Sequence, residues 1–319
     1  MHGDSMMQAW LFTGANAPLE RIERDIPQAE GDKVLVAVRG SGLCHSDVGR
    51  MDGTLTPYMP KKPPIILGHE IAGEVLSVGS DVHTFAPGDR VVASGTIAYC
   101  PGRDADGGYA THCLLPEHCL LPLPDAVSFV QGAAATDAGQ TSHSALMRAG
   151  ELKPGQKVGI VGLGGLGMTA ARIAVLEGAE VHAAEPRREA WDAAKAQGVS
   201  SVVADVLELA PLGLDLIVDF AGFGTTTSGA IRAVRPGGLV VQVGLGKTEA
   251  LIPTMELVGK GVTLRGSGGG TPADTAAVLD HMARGNLSIQ AGTIGFEAIP
   301  EGLERLARGG VVGRIVAEI

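Results

Sequence analysis

The chain has 319 residues, a length that predicts about two domains. Hydrophobic residues make up 45% of it and charged residues 19%, a balance that is typical of globular proteins and excludes extensive disorder. The 35 acidic and 25 basic residues give a net charge of −10, so the sequence lacks the basic character of a nucleic-acid-binding protein.

The sequence shows no sign of export or membrane insertion. No run of about 18 apolar residues predicts a membrane span, and the N-terminus lacks the basic and apolar segments of a signal peptide. Four cysteines do not make a disulfide framework in a chain of this length, which favours a reducing compartment. We therefore expect a cytoplasmic protein that binds neither membranes nor nucleic acid.

The pattern of predicted elements changes along the chain. Up to about residue 135, short β-like runs separated by Gly and Pro indicate an antiparallel, barrel-like unit, with strands at 34–38, 71–78 and 90–93. From 153 to 266, apolar strands alternate with helical segments, which predicts a doubly wound parallel sheet. The strands expected there are 158–161, 181–184, 201–204, 214–220, 239–243 and 262–264, with helices at 165–177 and 187–197.

The C-terminal segment from residue 267 onward leaves this alternating pattern. It predicts one helix over 272–283, then a polar stretch without a regular element, and a final strand over 313–319. The chain would therefore carry its parallel sheet between two segments of different character.

A glycine-rich turn follows the first predicted parallel strand. Gly162, Gly164 and Gly167 fit the pattern G-x-G-x-x-G. In that pattern the first glycine permits the turn, the second lets a pyrophosphate approach the backbone, and the third lets the helix pack on the strand. Gly165 and Leu166 lie in the same turn, where the helix N-terminus would face the phosphates. Alone, the pattern also fits a purely structural turn of another α/β domain.

Glu185 strengthens the dinucleotide interpretation. It lies 18 residues after Gly167 at the end of the second predicted parallel strand, where a carboxylate accepts hydrogen bonds from the adenosine ribose and repels a 2′-phosphate. This position favours NAD as the cofactor. Arg187 and Arg188 leave NADP as the alternative, since a nearby arginine can bind a 2′-phosphate; otherwise they are solvated residues of the next helix.

Two potential zinc ligands lie 25 residues apart. Cys44 follows the first long predicted strand, and His69 precedes the strand at 71–78. A thiolate and an imidazole are good zinc ligands, and a catalytic zinc usually has three protein ligands and one open position. By spacing alone, a buried thiol and an unrelated histidine remain the more common explanation.

Several motifs, in their order along the chain, resemble the zinc-dependent medium-chain dehydrogenase/reductase superfamily. The resemblance extends from Met7 to Ile319. It implies an α/β protein with a GroES-like β-barrel catalytic domain formed by residues 1–137 and 267–319. It also implies a Rossmann domain with a doubly wound parallel sheet over 138–266. The motifs are GLCHSD at 42–47, GHEIAGEV at 68–75, VGSDVHTFAPGDRV at 78–91, GGYATH at 107–112 and VGLGGLG at 161–167.

The resemblance implies a catalytic zinc site position by position. Cys44 and His69 match the first two zinc ligands, and Glu70 matches a glutamate beside the site that can also approach the metal. Ser46 matches the hydroxyl that accepts the alcohol proton, and Asp47 matches the carboxylate that supports the His69 imidazole.

The resemblance also implies a cofactor site. The glycine-rich turn would bind the dinucleotide, with Leu166 behind the nicotinamide. His45 and Arg314 match residues near the pyrophosphate, Thr141 matches a residue at the nicotinamide face, and Val243 ends the strand that binds the carboxamide.

Three positions depart from the family pattern. The third zinc ligand is usually a cysteine, but the alignment places Asp137 there. A carboxylate is an acceptable, harder ligand, and the alternative is that Asp137 caps a helix starting near Ala138. Only Cys100 lies where the family usually has four structural-zinc cysteines, so we expect one catalytic zinc and no structural zinc. Gly49 replaces the histidine that often ends the proton relay.

The predicted function is that of a zinc-dependent, NAD(H)-linked alcohol dehydrogenase or carbonyl reductase. It would transfer a hydride between a small primary or secondary alcohol and the nicotinamide. The alternatives are a zinc-free quinone- or enone-type C=C reductase, an atypical biosynthetic member of the family, and a non-catalytic protein of the same fold. The retained Cys44, His69 and Glu70 argue against the zinc-free branch. The resemblance further implies a homodimer or homotetramer.

Overall fold

The computed structural model describes residues 6–319 and divides into two units. One comprises the described residues up to Asp137 together with Thr271–Ile319, and the other comprises Ala138–Gly270. The sequence-based boundaries are 137/138 and 266/267, so the second unit also takes in residues 267–270. Residues 1–5, where the predicted first domain begins, lie outside the described residues.

Sixteen strands occur within residues 6–319, and they form separate sheets in the two units. In chain order they are β1 (Met6–Phe12), β2 (Glu20–Asp25), β3 (Lys33–Leu43), β4 (Ile65–Ile66), β5 (Glu70–Val78), β6 (Arg90–Ala93), β7 (His112–Pro116), β8 (Leu120–Pro122), β9 (Lys157–Val161), β10 (Glu180–Ala184), β11 (Ser201–Val203), β12 (Leu216–Asp219), β13 (Leu239–Gln242), β14 (Thr263–Gly266), β15 (Ala291–Gly295) and β16 (Arg314–Glu318).

The helices of the same described stretch are short. None of them is long and apolar enough to cross a membrane. The α-helices are α1 (His45–Met51), α2 (Phe129–Ala134), α3 (Gln140–His143), α4 (Gly165–Leu176), α5 (Trp191–Ala196), α6 (Thr225–Ala233), α7 (Thr254–Gly259), α8 (Pro272–Ala283) and α9 (Ile299–Arg308). Helical turns of the 3-10 type lie at Thr56–Tyr58, Glu117–Cys119, Arg188–Ala190, Val206–Leu212 and Phe296–Ala298, and π-helical turns at Ala135–Gly139 and Ser144–Ala149.

The long strand β3 organises the first unit. Within the described chain, β3 belongs to a seven-stranded sheet along the path β15-β16-β3-β5-β6-β8, with β7 also paired to β3, and a three-stranded sheet has the order β2-β1-β4. β3 and β5 are antiparallel with Gly42 opposite Glu70, which brings together the two motifs that carry the candidate ligands. Alternate residues of these strands, such as Val34, Val36 and Val75, form a buried core.

The second unit contains a parallel sheet of six strands among the described residues. Their order is β11-β10-β9-β12-β13-β14, which is the 3-2-1-4-5-6 order of a doubly wound dinucleotide-binding sheet. The central strands are largely apolar because helices cover parallel sheets on both faces, whereas the edge strand β14 is largely exposed. Ile217, Ile231 and Val240 lie in the core between sheet and helices.

One sequence-based expectation and one of the alternatives are wrong. The polar stretch after 283 contains strand β15 and helix α9. Strand β15 lacks an alternating apolar pattern because it is glycine-rich and largely exposed, and α9 buries only a narrow stripe that includes Leu303 and Leu306. Ala138 lies inside a helical run that begins at Phe129, where the Ser128 hydroxyl accepts a hydrogen bond from the Gln131 amide, and that continues through a π-helical turn into α3. Asp137 therefore lies inside a helical run and is not its N-cap.

Candidate active site

Four side chains with metal-ligating atoms converge in the first unit. One ligand atom from each of Cys44, His69, Glu70 and Asp137 lies within 4.8 Å of the others. Cys44 directly precedes α1, Glu70 opens strand β5 with His69 just before it, and Asp137 lies in the π-helical turn after α2. Three of the residues are buried and Asp137 is half-buried. A thiol, an imidazole and two carboxylates form a donor set that suits zinc.

Asp137 Oδ2 occupies the centre of this cluster. The Cys44 thiol donates to it at 3.3 Å, and His69 Nε2 lies 4.0 Å from it. Arg314, whose side chain is only 5% exposed, donates from Nη2 to the same oxygen at 2.7 Å and also to Glu70 Oε1. The guanidinium therefore supplies positive charge to two carboxylates that could otherwise face a metal ion.

The cluster retains an unsatisfied acceptor. Glu70 Oε2 is buried and has no hydrogen-bond partner within residues 6–319. A buried carboxylate oxygen without a partner is costly, by about 1–3 kcal/mol or more. A thiol, an imidazole and two carboxylates, one of them with an unpartnered oxygen, fit the metal that the family resemblance implies.

Asp47 lies behind His69 in a buried network. Its Oδ1 accepts a hydrogen bond from Arg50 Nη1 at 2.6 Å and lies 3.4 Å from His69 Nδ1, and its Oδ2 accepts from the Tyr109 hydroxyl at 2.8 Å. Burial alone would raise the pKa of Asp47, but the charges of His69 and Arg50 and these hydrogen bonds hold it well below its usual range. Asp47 is therefore an anion in position to orient the imidazole.

Sequence reasoning assigned no role to Arg50 or Tyr109. A signal for Arg50 was present, because a residue three positions after Asp47 on a helix lies on the same face. Tyr109 belongs to the GGYATH motif, but its contact with Asp47 spans 62 residues and depends on the sheet.

Three further predicted positions lie on α1: Ser46 for proton transfer, His45 for the cofactor pyrophosphate, and Gly49 in place of a relay histidine. His45 is exposed and Ser46 is half-buried. At Gly49, an added Cβ would lie 3.0 Å from both Cγ and Cδ1 of Leu55. A side chain at this position, such as the histidine that family members often have, would require Leu55 to shift.

The glycine-rich turn joins β9 to α4 in the second unit. Gly162 has a φ of 85°, in the left-handed region that favours glycine. A Cβ at Gly167 would overlap the carbonyl oxygen of Gly162, so close packing of helix and strand requires this glycine. A Cβ at Gly164 would meet no atom within 4 Å. No contact within the described chain requires Gly164, which leaves open space beside the backbone for a ligand.

Gly165 is the first residue of α4, and the carbonyl oxygen of Leu166 accepts a hydrogen bond from Ser142 Oγ.

Glu185 lies against this turn. Its Oε2 accepts a hydrogen bond from the Leu163 amide at 2.8 Å, and Arg187 donates to both carboxylate oxygens, at 2.9 and 3.1 Å. Burial raises the pKa of Glu185, but the hydrogen bonds from Arg187 and Leu163 outweigh it, so the pKa is lowered. The carboxylate therefore ties the end of β10 to the turn, while the Arg188 guanidinium stacks on Trp191.

The other predicted cofactor positions are distributed as follows. Thr141 is buried on α3. Val243 directly follows β13, and its amide donates to the backbone carbonyl oxygen of Asp219. Arg314 has its guanidinium in the cluster of the first unit. The expected contacts of these residues with a dinucleotide stay predictions.

The cysteines outside the cluster behave as buried thiols. Cys113 lies on β7 and Cys119 on a 3-10 turn, while Cys100 is half-buried in the loop after β6. Burial raises the pKa of all three thiols, which disfavours the thiolate form that zinc binds.

Comparison with known proteins identifies the family. Residues 30–125 match the alcohol dehydrogenase GroES-like domain, and residues 165–284 match the zinc-binding dehydrogenase domain. An alcohol dehydrogenase from Geobacillus stearothermophilus is 32% identical, over 98% of this chain and 99% of that protein.

Two solved structures extend the similarity to the fold. The acetophenone reductase from Geotrichum candidum in complex with NAD has a TM-score of 0.91 at 27% identity, over 100% of this chain and 99% of that chain. The alcohol dehydrogenase from Aeropyrum pernix has a TM-score of 0.90 at 28% identity, over 98% of this chain and 100% of that chain.

The chain belongs to the zinc-type medium-chain dehydrogenase/reductase superfamily. Within it, the protein is an oxidoreductase of the alcohol dehydrogenase type, which acts on CH–OH groups. The predicted family and the predicted fold class, a Rossmann domain with a GroES-like domain, are both confirmed.

Proposed function

We propose that this protein is a zinc-dependent, NAD(H)-linked dehydrogenase that interconverts a small alcohol and its carbonyl compound. The convergence of Cys44, His69, Glu70 and Asp137 in one buried cluster carries the proposal. The zinc-free branch of the family generally lacks these ligands.

Cys44, His69 and Asp137 would hold the metal, with Glu70 close enough to act as a further ligand. When bound, zinc supplies Lewis acidity that lowers the pKa of a substrate alcohol. Three protein ligands leave one position for the substrate oxygen. Asp47 would keep the hydrogen of His69 on Nδ1, so that Nε2 is free to bind. The protein would carry a single catalytic zinc and no structural zinc.

The remaining chemistry would move one proton and one hydride. Ser46 Oγ would accept the proton of the substrate hydroxyl, and the nicotinamide, when bound, would supply the hydride acceptor. Gly49 offers no relay side chain, so the proton would leave Ser46 through water or the cofactor ribose. In carbonyl reduction the same groups act in reverse.

NAD rather than NADP would be the cofactor, bound at the glycine-rich turn. The open space at Gly164 and the Glu185 carboxylate beside the turn support a dinucleotide site. Arg187 is paired with Glu185 through two hydrogen bonds, which reduces its attraction for a 2′-phosphate. The comparison of kcat/KM for NADH and NADPH tests this assignment, and a higher value with NADPH would overturn it.

The first experiment is zinc analysis of the purified protein, followed by turnover. We expect about one zinc per chain without added metal. NAD-dependent oxidation of secondary alcohols is the first screen, because a structural relative is an acetophenone reductase. Cys44→Ala should lose zinc and activity together, whereas Cys119→Ala, a matched change of a buried thiol outside the cluster, should keep both. A zinc-free protein that reduces enones would instead be the C=C reductase.

We also propose a homodimer or homotetramer. The edge strand β14 pairs with β13 on one side only within the described residues, and Leu264 on it is partly exposed. Such an edge can continue its sheet across a twofold axis. Light scattering should give the mass of two or four chains, and the mass of one chain would refute the proposal.

A further inference from the structure

A buried arginine lies behind the candidate metal ligand His69. Arg50 is on α1, three residues after Asp47, and is only 8% exposed. Its Nη1 donates to Asp47 Oδ1 at 2.6 Å and lies 3.5 Å from His69 Nδ1. An arginine is rarely buried without a charged partner. The partner here is Asp47, which also contacts the His69 imidazole.

Arg50 and His69 share one oxygen of Asp47. For Nε2 of His69 to bind a metal ion, Nδ1 must carry the hydrogen and needs an acceptor. Asp47 Oδ1 lies 3.4 Å from Nδ1, whereas its contact with Arg50 is 2.6 Å long. Arg50 has only donors, so it cannot accept the imidazole hydrogen. The other oxygen, Oδ2, is engaged by Tyr109 at 2.8 Å.

The charge of Asp47 therefore determines how strongly His69 binds a metal. A carboxylate behind a ligating histidine raises the basicity of the ligand and tightens metal binding. A guanidinium bound to the same carboxylate oxygen opposes this effect. Its positive charge also lies close to the His69 imidazole in a buried region, where charges interact more strongly than in water.

We propose that Arg50 is a positioning residue that acts through Asp47 and weakens electron donation from His69 to the metal. The metal is then held less tightly and is a stronger Lewis acid than the Asp47–His69 pair alone would make it. This inference rests on the proposed zinc site, and it predicts an unusual sign: removal of Arg50 tightens metal binding. A residue that only stabilises the fold would loosen metal binding when it is replaced.

The test is the zinc dissociation constant of the full-length protein, measured by competition with a chelator. Arg50→Gln should bind zinc about tenfold more tightly than the wild type, at the low end of the range for partners of metal ligands. Arg50→Lys keeps the charge and should stay within about twofold of the wild type. The matched control is Arg284→Gln, since Arg284 is an exposed helical arginine paired with Asp280. It should not change zinc binding.

Unchanged or weaker zinc binding in Arg50→Gln would overturn the inference, as would equal tightening in Arg50→Lys. If the glutamine variant does not fold, Tyr109→Phe carries the test. That change removes a neutral donor from Asp47 Oδ2 and should also tighten zinc binding, so looser binding would refute the inference. A wild-type protein that binds no zinc would refute the proposed function. Zinc binding in the wild type without tightening in the variants would refute only the role of Arg50.

Discussion

Asp137 stands where most of the family has a cysteine, and its replacement by asparagine tests whether it is a metal ligand. Asparagine keeps the size and shape of the side chain but removes the negative charge. Asp137 Oδ2 lies 3.3 Å from Cys44 Sγ and 4.0 Å from His69 Nε2, so the change is made at the centre of the cluster.

The expected loss of zinc affinity is at least about 100-fold. Replacing a partner of a metal ligand typically costs 10–100-fold in affinity, and a direct ligand should cost at least the upper value. A factor of 100 corresponds to about 2.8 kcal/mol of binding free energy. The metal-free protein should also be less stable, by about 1.5–3 kcal/mol, because Arg314 loses a buried charged hydrogen bond and keeps only Glu70.

Chelator competition gives the zinc affinity, and urea unfolding of the metal-free protein gives the stability. Asp125→Asn is the matched control, since Asp125 is a fully exposed carboxylate, and it should change neither quantity. Asp137→Cys should bind zinc at least as well as the wild type, because a thiolate is a good zinc ligand. The reasoning is wrong if Asp137→Asn binds zinc as the wild type does, or if Asp137→Cys loses zinc.

Two further predictions concern the second unit. Gly164→Ala should leave the free energy of unfolding unchanged but weaken NADH binding about tenfold, since its Cβ would meet only a ligand. Gly167→Ala should lower the free energy of unfolding by about 1–3 kcal/mol, because its Cβ overlaps the backbone. Equal stability loss in both variants in urea unfolding would contradict this distinction. Glu185 has a lowered pKa, so its hydrogen bonds stabilise the fold above its ordinary pKa of 4.5 and lose this effect as the pH falls through the lowered value. Glu185→Gln should therefore reduce stability at pH 7 by about 1.5–3 kcal/mol and progressively less at acid pH, and a pH-independent difference would argue against it.

The parts of the fold that could be predicted from the sequence are those with local signals. The central parallel strands are largely apolar and are bounded by turns, so the predicted strands agree with β9, β10 and β12 within about two residues. The predicted helix over 272–283 coincides with α8, whose start the structure marks with Pro272 and the capping residues Thr271 and Asp274.

The parts that escaped prediction depend on contacts between distant segments. Arg314 meets Asp137 across 177 residues, and no local pattern indicates this ion pair. It forms because β16 pairs with β3. Ile315, which follows Arg314, lies opposite Leu43, which precedes Cys44. Strand β15 has a similar origin: its glycine-rich sequence is weakly β-forming, and its pairing with β16 determines its structure.

The candidate metal site depends on one end of β3. Strand β5 brings Glu70 opposite Gly42, and a Cβ at Gly42 would lie 2.6 Å from the carboxyl carbon of Glu70. A Cβ at Gly40 would lie 2.9 Å from the carbonyl oxygen of Phe129, so this glycine lets α2, the helix that leads to Asp137, approach the strand. The two glycines thus bring a carboxylate and a helix to the strand that precedes Cys44. The ligands come from segments far apart in the sequence, but a single strand without side chains at two positions allows them to meet.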